Sequence, residues 1–240
     1  MSHRLLIAFG GLVLLSACSS ATDQSILNIA VSPSAQPVSD AILACASTSG
    51  EVFTTIDILY AGTFELADYD LFIRLGESDE EVGAILPLAK ERVGVAVNNG
   101  LSLGSVNRNA LVEILTGRIS SWSDLGGPEE PLIIWVGPES DDARGIIEEE
   151  LLRGAPIAGN ARVAPNPSAL LDSVATDPGS IGILPAAWAD ERVDVIDLGI
   201  EVPVLAISAN ELEPEARDLL ACLQGSTGQA VLSERYAPID

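Results

Sequence analysis

The sequence predicts an α/β protein with largely parallel sheets, and three observations carry that expectation. Short apolar runs rich in β-branched residues recur along the chain. Amphipathic segments with apolar residues three and four positions apart separate them. Gly, Pro, Asn and Ser punctuate the joints. Strands alternating with helices in this way build a sheet whose faces are covered by the helices. No internal repeat, coiled-coil heptad or low-complexity block interrupts the alternation.

Residues 26–31 (ILNIAV) read as a buried strand that runs into Ser32-Pro33-Ser34 and a helix over 39–47, with Ser39 as N-cap. Residues 52–59 and 69–75 are two more strands by their β-branched and aromatic content. The segment 85–97 (ILPLAKERVGVAV) holds another, over 93–97. The stretch 109–127 (NALVEILTGRISSWSDLGG) opens as a short helix with Leu111, Ile114 and Leu115 on one face and Gly117 just past its end. Trp122 and Leu125 then mark a packed loop, either an aromatic plug at a helix end or a brace between two lobes or layers. Residues 131–136 (PLIIWV) form a strand that meets Gly137-Pro138-Glu139-Ser140-Asp141-Asp142 and a helix to about Arg153. Asn166 caps a helix with Pro167 in its first turn, ending near Ala175. Strands follow over 181–184, 193–198 and 204–208. A helix over 213–223, with Ala216, Leu219, Leu220 and Leu223 on one face, and a short one over 227–236 complete the chain.

At 240 residues the chain has room for one large domain or two lobes, given about 100–200 residues per domain. A composition 48% hydrophobic and 20% charged belongs to a folded globular protein. Acidic residues outnumber basic ones 35 to 12, for a formal net charge of −23. That argues against a nucleic-acid partner, whose phosphates need a basic face, and against an anionic membrane surface.

Residues 1–17 have the layout of a secretory signal: His3 and Arg4, then an apolar run too short to span a membrane. Leu15-Ser16-Ala17-Cys18 resembles the lipobox of bacterial lipoproteins, which makes Cys18 the expected lipid-attachment site and 18–25 a tether. An ordinary signal peptide that happens to contain Cys is the alternative. The expected location is extracytoplasmic, with the membrane reached only through the lipid. Cys45 and Cys222 remain, and an oxidising compartment favours their pairing over two free thiols, though sequence alone leaves both open.

The sole histidine is His3, so processing would leave none, and Ser-His or Cys-His catalysis is excluded. Two distant Cys and no His leave no expected zinc-type site, so no metal is assigned. Neither GxGxxG after a strand nor GxxxxGK[ST] occurs, so no nucleotide cofactor is expected. Runs such as Asp79-Glu80-Glu81 and Glu148-Glu149-Glu150 read as solvated faces. A carboxylate-dependent hydrolase stays formally open, but the expected class is not an enzyme, and no catalytic residue is assigned. Ligands of open α/β sheets bind beyond the carboxyl ends of strands, beside helix N-termini. Three such junctions carry polar groups: Ser32 and Ser34; Arg74 in an otherwise apolar strand; and Ser140, Asp141, Asp142 and Arg144. Each group also suits a plain role, the Ser and Asp as caps and the Arg as partner of a surface acid.

The segment 111–127 (LVEILTGRISSWSDLGG) resembles the Trp-Ser-Asp-Leu-Gly-Gly segment of phosphate-type periplasmic solute-binding proteins, the receptors of phosphate ABC importers. Residues 85–98, 173–184 (SVATDPGSIGIL) and 226–238 (STGQAVLSERYAP) resemble further segments of that family in its order. The resemblance implies a two-lobed, type II periplasmic-binding-protein-like fold with a ligand cleft between the lobes. It implies lobes over 26–92 with 190–240 and over 93–189. The expected ligand is a small anion, phosphate by family default, and the expected partner an ABC permease. Ser32, Ser34, Ser140 and Arg144 would then donate to an oxyanion, with Asp141 or Asp142 accepting its proton and Arg74 as a further ligand-binding residue near the place of the family's Ser-Arg. The family's Ser-Gly-Thr loop is replaced here by 137–144 (GPESDDAR). Two carboxylates there would repel a dianion by about 1–4 kcal/mol. A transport-inactive sensor or protein-binding lipoprotein on the same fold is the alternative.

Overall fold

The computed structural model describes residues 25–47, 52–77, 82–100 and 106–239. The expected signal peptide 1–17, His3, Cys18, most of the expected tether and the Asp79-Glu80-Glu81 run lie outside the described residues.

The chain begins with β1 (Ile26–Val31), a 3₁₀ turn over Pro33–Val38, and α1 (Ser39–Ala46). Then come β2 (Phe53–Ile58), β3 (Leu71–Leu75) and β4 (Ala84–Asn98). The middle holds α2 (Arg108–Leu115), the Trp122–Leu125 turn, β5 (Ile133–Val136), α3 (Asp142–Glu150), β6 (Arg162–Val163) and α4 (Pro167–Thr176). The last part holds β7 (Ser180–Pro185), β8 (Val193–Ile196), β9 (Glu201–Ser208), α5 (Pro214–Gln224) and α6 (Ser226–Leu232).

The strands lie in the order β2-β1-β3-β9-β4-β7-β5-β6, with β8 also on β4. The outer pairs β1–β2, β1–β3, β5–β6 and β5–β7 are parallel. Every pairing of β4 and β9 is antiparallel, so the sheets are parallel only toward their two ends and not largely parallel. The cause is β4. Its first half, from Ala84 to Arg92, pairs with β9, and its second half, from Val93 to Asn98, pairs with β7 and β8. One strand thus belongs to two sheets and carries the chain from one to the other. The sequence reading sees only 93–97 of it, because the first half is broken by Pro87, where the register shifts, and carries Lys90, Glu91 and Arg92.

Helices α1, α5 and α6 pack together beside the first sheet, while α4 packs on β7 and β4. Cys45 of α1 and Cys222 of α5 are joined, closing a loop across 177 residues. Ser39 is the first helical residue rather than the cap: the 3₁₀ turn runs straight into α1, leaving Val38 at the cap position with no side-chain bond. The other predicted joints hold. Asn166 caps α4 by accepting from the Ala169 amide, and Gly117 follows α2 with φ +77°, a backbone that glycine adopts at little cost. Trp122 is fully buried, and its indole N–H donates to the Gly179 carbonyl at 3.0 Å. With its amide on the Glu130 carbonyl, Trp122 ties the α2 layer to the turn that opens β7, within the second sheet's side. No helix among the described residues is long and apolar enough to cross a membrane.

Candidate functional site

The site forms where strand ends of the two sheets face each other. On the first side β1 and β3 run parallel, with Val31 beside Ile73, so Ser32 emerges next to Arg74. The Ser32 amide donates to the Ile73 carbonyl at 2.8 Å, and its hydroxyl accepts from the Ala35 amide as cap of the 3₁₀ turn. That turn brings Ser34, fully buried, to face the opposite sheet.

On the second side β5 ends at Val136 and the chain turns through Gly137 into α3. Asp141 is the N-cap: its Oδ1 accepts from the Arg144 amide at 3.0 Å. Gly137 allows the turn to close, because a Cβ there would lie 2.7 Å from both Cβ and Cγ of Asp141.

The two sides meet through the two carboxylates. Ser34 Oγ donates to Asp141 Oδ2 at 2.8 Å. Asp142 Oδ1 lies 3.3 Å from Arg74 Nη2, and Oδ2 accepts from the Leu75 amide at 3.0 Å. The Asp142 side chain is 1% exposed and that of Arg74 27%. Burial is the main influence on both acids and pushes both pKa values up. Arg74, the Ser32 hydroxyl and the Leu75 amide pull Asp142 back. The Arg144 amide and the Ser34 hydroxyl do the same for Asp141, while the neighbouring Asp142 charge adds to its rise.

Five of the seven predicted residues therefore converge: Ser32, Ser34, Arg74, Asp141 and Asp142. Ser140 is exposed and lines a cavity of about 550 Å³ beside the pair, walled by Arg74, Gly76, Glu77, Ile146 and Glu149. Arg144 turns away. Its Nε meets Glu148 Oε1 at 2.9 Å and its Nη1 the Gly137 carbonyl at 3.1 Å, so only its backbone amide serves the site.

Sequence reasoning misses three groups. Tyr60 follows β2 at the same strand edge, and its hydroxyl donates to the Pro165 carbonyl at 2.8 Å. Burial, with the charges of Asp141 and Asp142 adding, pushes its pKa up to about 12. The Trp188 indole donates to the Ser34 carbonyl at 3.2 Å. Leu75 contributes through its amide, which no side chain signals.

The arrangement gathers hydroxyl, guanidinium and amide donors around negative charge, the chemistry of an anion site. Its carboxylates already take those donors. Among the described residues no group of three His, Cys, Asp or Glu could hold a metal ion.

Known proteins bear on this geometry. A family description, PBP superfamily domain, matches residues 77–221. The phosphate-binding protein PstS of Bacillus subtilis (strain 168) is 25% identical over 161 residues, 66% of this chain and 49% of that protein. The chain thus spans about half the length of the curated relative it matches. A putative phosphate ABC transporter substrate-binding protein from Clostridium perfringens, solved with bound phosphate, superposes with a TM-score of 0.83 at 14% identity over 90% of this chain and 100% of that one. An ABC-type phosphate transport receptor from Vibrio cholerae gives 0.70 at 16% identity over 89% and 100%. At such identities these two likenesses carry the fold, a two-lobed periplasmic-binding-protein-like one.

Proposed function

The chain belongs to the PBP superfamily, and on that premise we propose that it is the extracytoplasmic solute-binding component of an ABC import system, closing two lobes on phosphate or a related small oxyanion. It binds without transforming what it binds. The observation that carries this reading is the convergence of Ser32, Ser34, Arg74 and the Leu75 amide on the N-terminus of α3. Donors from one sheet facing a helix start from the other make a clamp that an anion would hold shut. Phosphate is the first ligand to try, because the Bacillus subtilis relative is named for it.

The first lobe comprises 26–92 and the chain's last part, and the second lobe begins at 93, where β4 changes sheets. The pairing of β8 with the second half of β4 supports a return crossing within 197–200; sequence alone suggests 190. Cys18 would carry the lipid that holds the protein at the membrane, beside its permease.

Isothermal calorimetry of the purified mature protein with inorganic phosphate, sulfate and molybdate tests the proposal. Saturable heat with one of them supports it; no heat with any at millimolar concentration ends it. The second reading, a transport-inactive sensor or protein-binding lipoprotein, is favoured by one observation: Asp141 and Asp142 already sit on the donors. Crosslinking that recovers an importer permease would count against it.

A further inference from the structure

We propose that Asp141 and Asp142 are a built-in anion: they hold the two lobes closed without a solute, and an oxyanion enters only by displacing them. The inference rests on the oxyanion-binding reading and deepens it by naming the residues that set its threshold.

Consider what the donors face. Ser34, Arg74 and the Leu75 amide belong to the first sheet and its 3₁₀ turn; Asp141 and Asp142 open α3 on the other side of the cleft. Three bonds cross that divide: Ser34 Oγ to Asp141 at 2.8 Å, Arg74 to Asp142 at 3.3 Å, and the Leu75 amide to Asp142 at 3.0 Å. A carboxylate presents two acceptor oxygens in a plane, so two of them supply four acceptors, the number a tetrahedral oxyanion would bring. Donors within the lobes could equally be satisfied by water in an open cleft. Their capture by acids of the opposite lobe instead makes closure the resting arrangement.

Two consequences separate this from a plain cap or surface ion pair. An N-cap needs only one oxygen toward its helix, and Asp141 uses Oδ1 for the Arg144 amide while giving Oδ2 to Ser34. Asp142, the first helical residue, has no capping bond to make, and its side chain is nonetheless 1% exposed and spent across the cleft. The space for a solute is not lost, because the cavity of about 550 Å³ adjoins the pair and could receive the displaced side chains. A ligand that must first open a self-closed cleft binds with its affinity reduced by the fraction of molecules that are open.

The test compares wild type with Asp141→Ser/Asp142→Ala, which keeps a capping hydroxyl at 141 and removes both charges. With inorganic phosphate, calorimetry should show the variant binding about ten to a hundred times more tightly, for a resting open fraction of roughly 1–10%. Small-angle scattering without phosphate should show wild type already compact and the variant expanded, contracting when phosphate is added. Asp142→Asn alone, the same size without the charge, should shift both readouts in the same direction, and covers the case in which the double variant does not fold. Equal affinities with superimposable scattering curves would overturn the inference and leave the oxyanion reading standing. If neither protein binds phosphate, sulfate or molybdate, the oxyanion reading falls and scattering alone decides: expansion of the variant supports the built-in anion, and identical curves reject it.

Discussion

Ser34 and Asp141, 107 residues apart in the chain, meet hydroxyl to carboxylate at 2.8 Å, and both are buried. The bond joins the turn after β1 to the start of α3, so it fastens one sheet to the other at their strand ends. Ser34→Ala removes a donor from a carboxylate that water reaches poorly, which costs about 1–3 kcal/mol. Asp141→Ala should lose that contact and its cap as well. In urea titrations the double variant should fall short of the summed single losses by about 0.5–3 kcal/mol, the coupling expected of residues in contact. Strict additivity would mean that the two side chains do not meet in solution.

Trp122 provides a second check, on the side of the second sheet. It has no exposed surface, and its indole N–H is satisfied by the Gly179 carbonyl at the entrance to β7. Trp122→Ala should cost about 3–5 kcal/mol as a cavity in a packed site. Trp122→Phe keeps most of the apolar volume but strands the carbonyl, and should cost about 1–3 kcal/mol. Denaturant midpoints with unchanged slopes would give both values; a negligible loss for the alanine variant would contradict the packing.

Much of this was legible in residue order, and the failures have physical causes. The apolar runs mark their strands because side chains buried on both faces must be apolar, as in 26–31 and 181–184. Strand direction is not written there, and β4 escapes because Lys90, Glu91 and Arg92 sit where it passes between sheets. Ser32, Arg74 and the Asp pair are legible because each lies at or beyond the carboxyl end of a strand. The same rule reaches Tyr60, just past β2. Arg144 misleads for a reason visible in advance: Glu148, one turn on, is its natural partner.

The disulfide between Cys45 and Cys222 ties α1 to α5 within the helical layer beside the first sheet. A crosslink across 177 residues restricts the unfolded chain strongly. Cys45→Ala/Cys222→Ala should therefore lower stability by about 2–5 kcal/mol. The loss should appear as a lower melting temperature by calorimetry under non-reducing conditions. A reducing agent should lower the wild type's melting temperature and leave the variant's unchanged; equal sensitivity of the two would show that the bond is not formed.

Glu91 gives the clearest dependence on pH. It lies in β4 one residue before Arg92, where the strand leaves the first sheet, and it is 1% exposed. Its carboxyl accepts from the Arg92 amide at 2.7 Å and faces the Ala187 amide at 3.3 Å. Burial pushes its pKa up to about 8, against the pull of these amides and of the Arg92 charge. A carboxyl with a raised pKa holds its proton more tightly in the folded protein than in the unfolded chain. Its contribution is therefore fully present below the unfolded value near 4.5, declines above it, and is gone once pH passes the folded value near 8. Over that window wild type should lose on the order of a few kcal/mol that Glu91→Gln does not lose. Urea titrations at acid, neutral and alkaline pH should show the variant close to wild type in acid and more stable than it in alkali. Parallel stability curves for the two proteins would mean that Glu91 is already ionised in the folded state, and that the crossing strand tolerates a charge there.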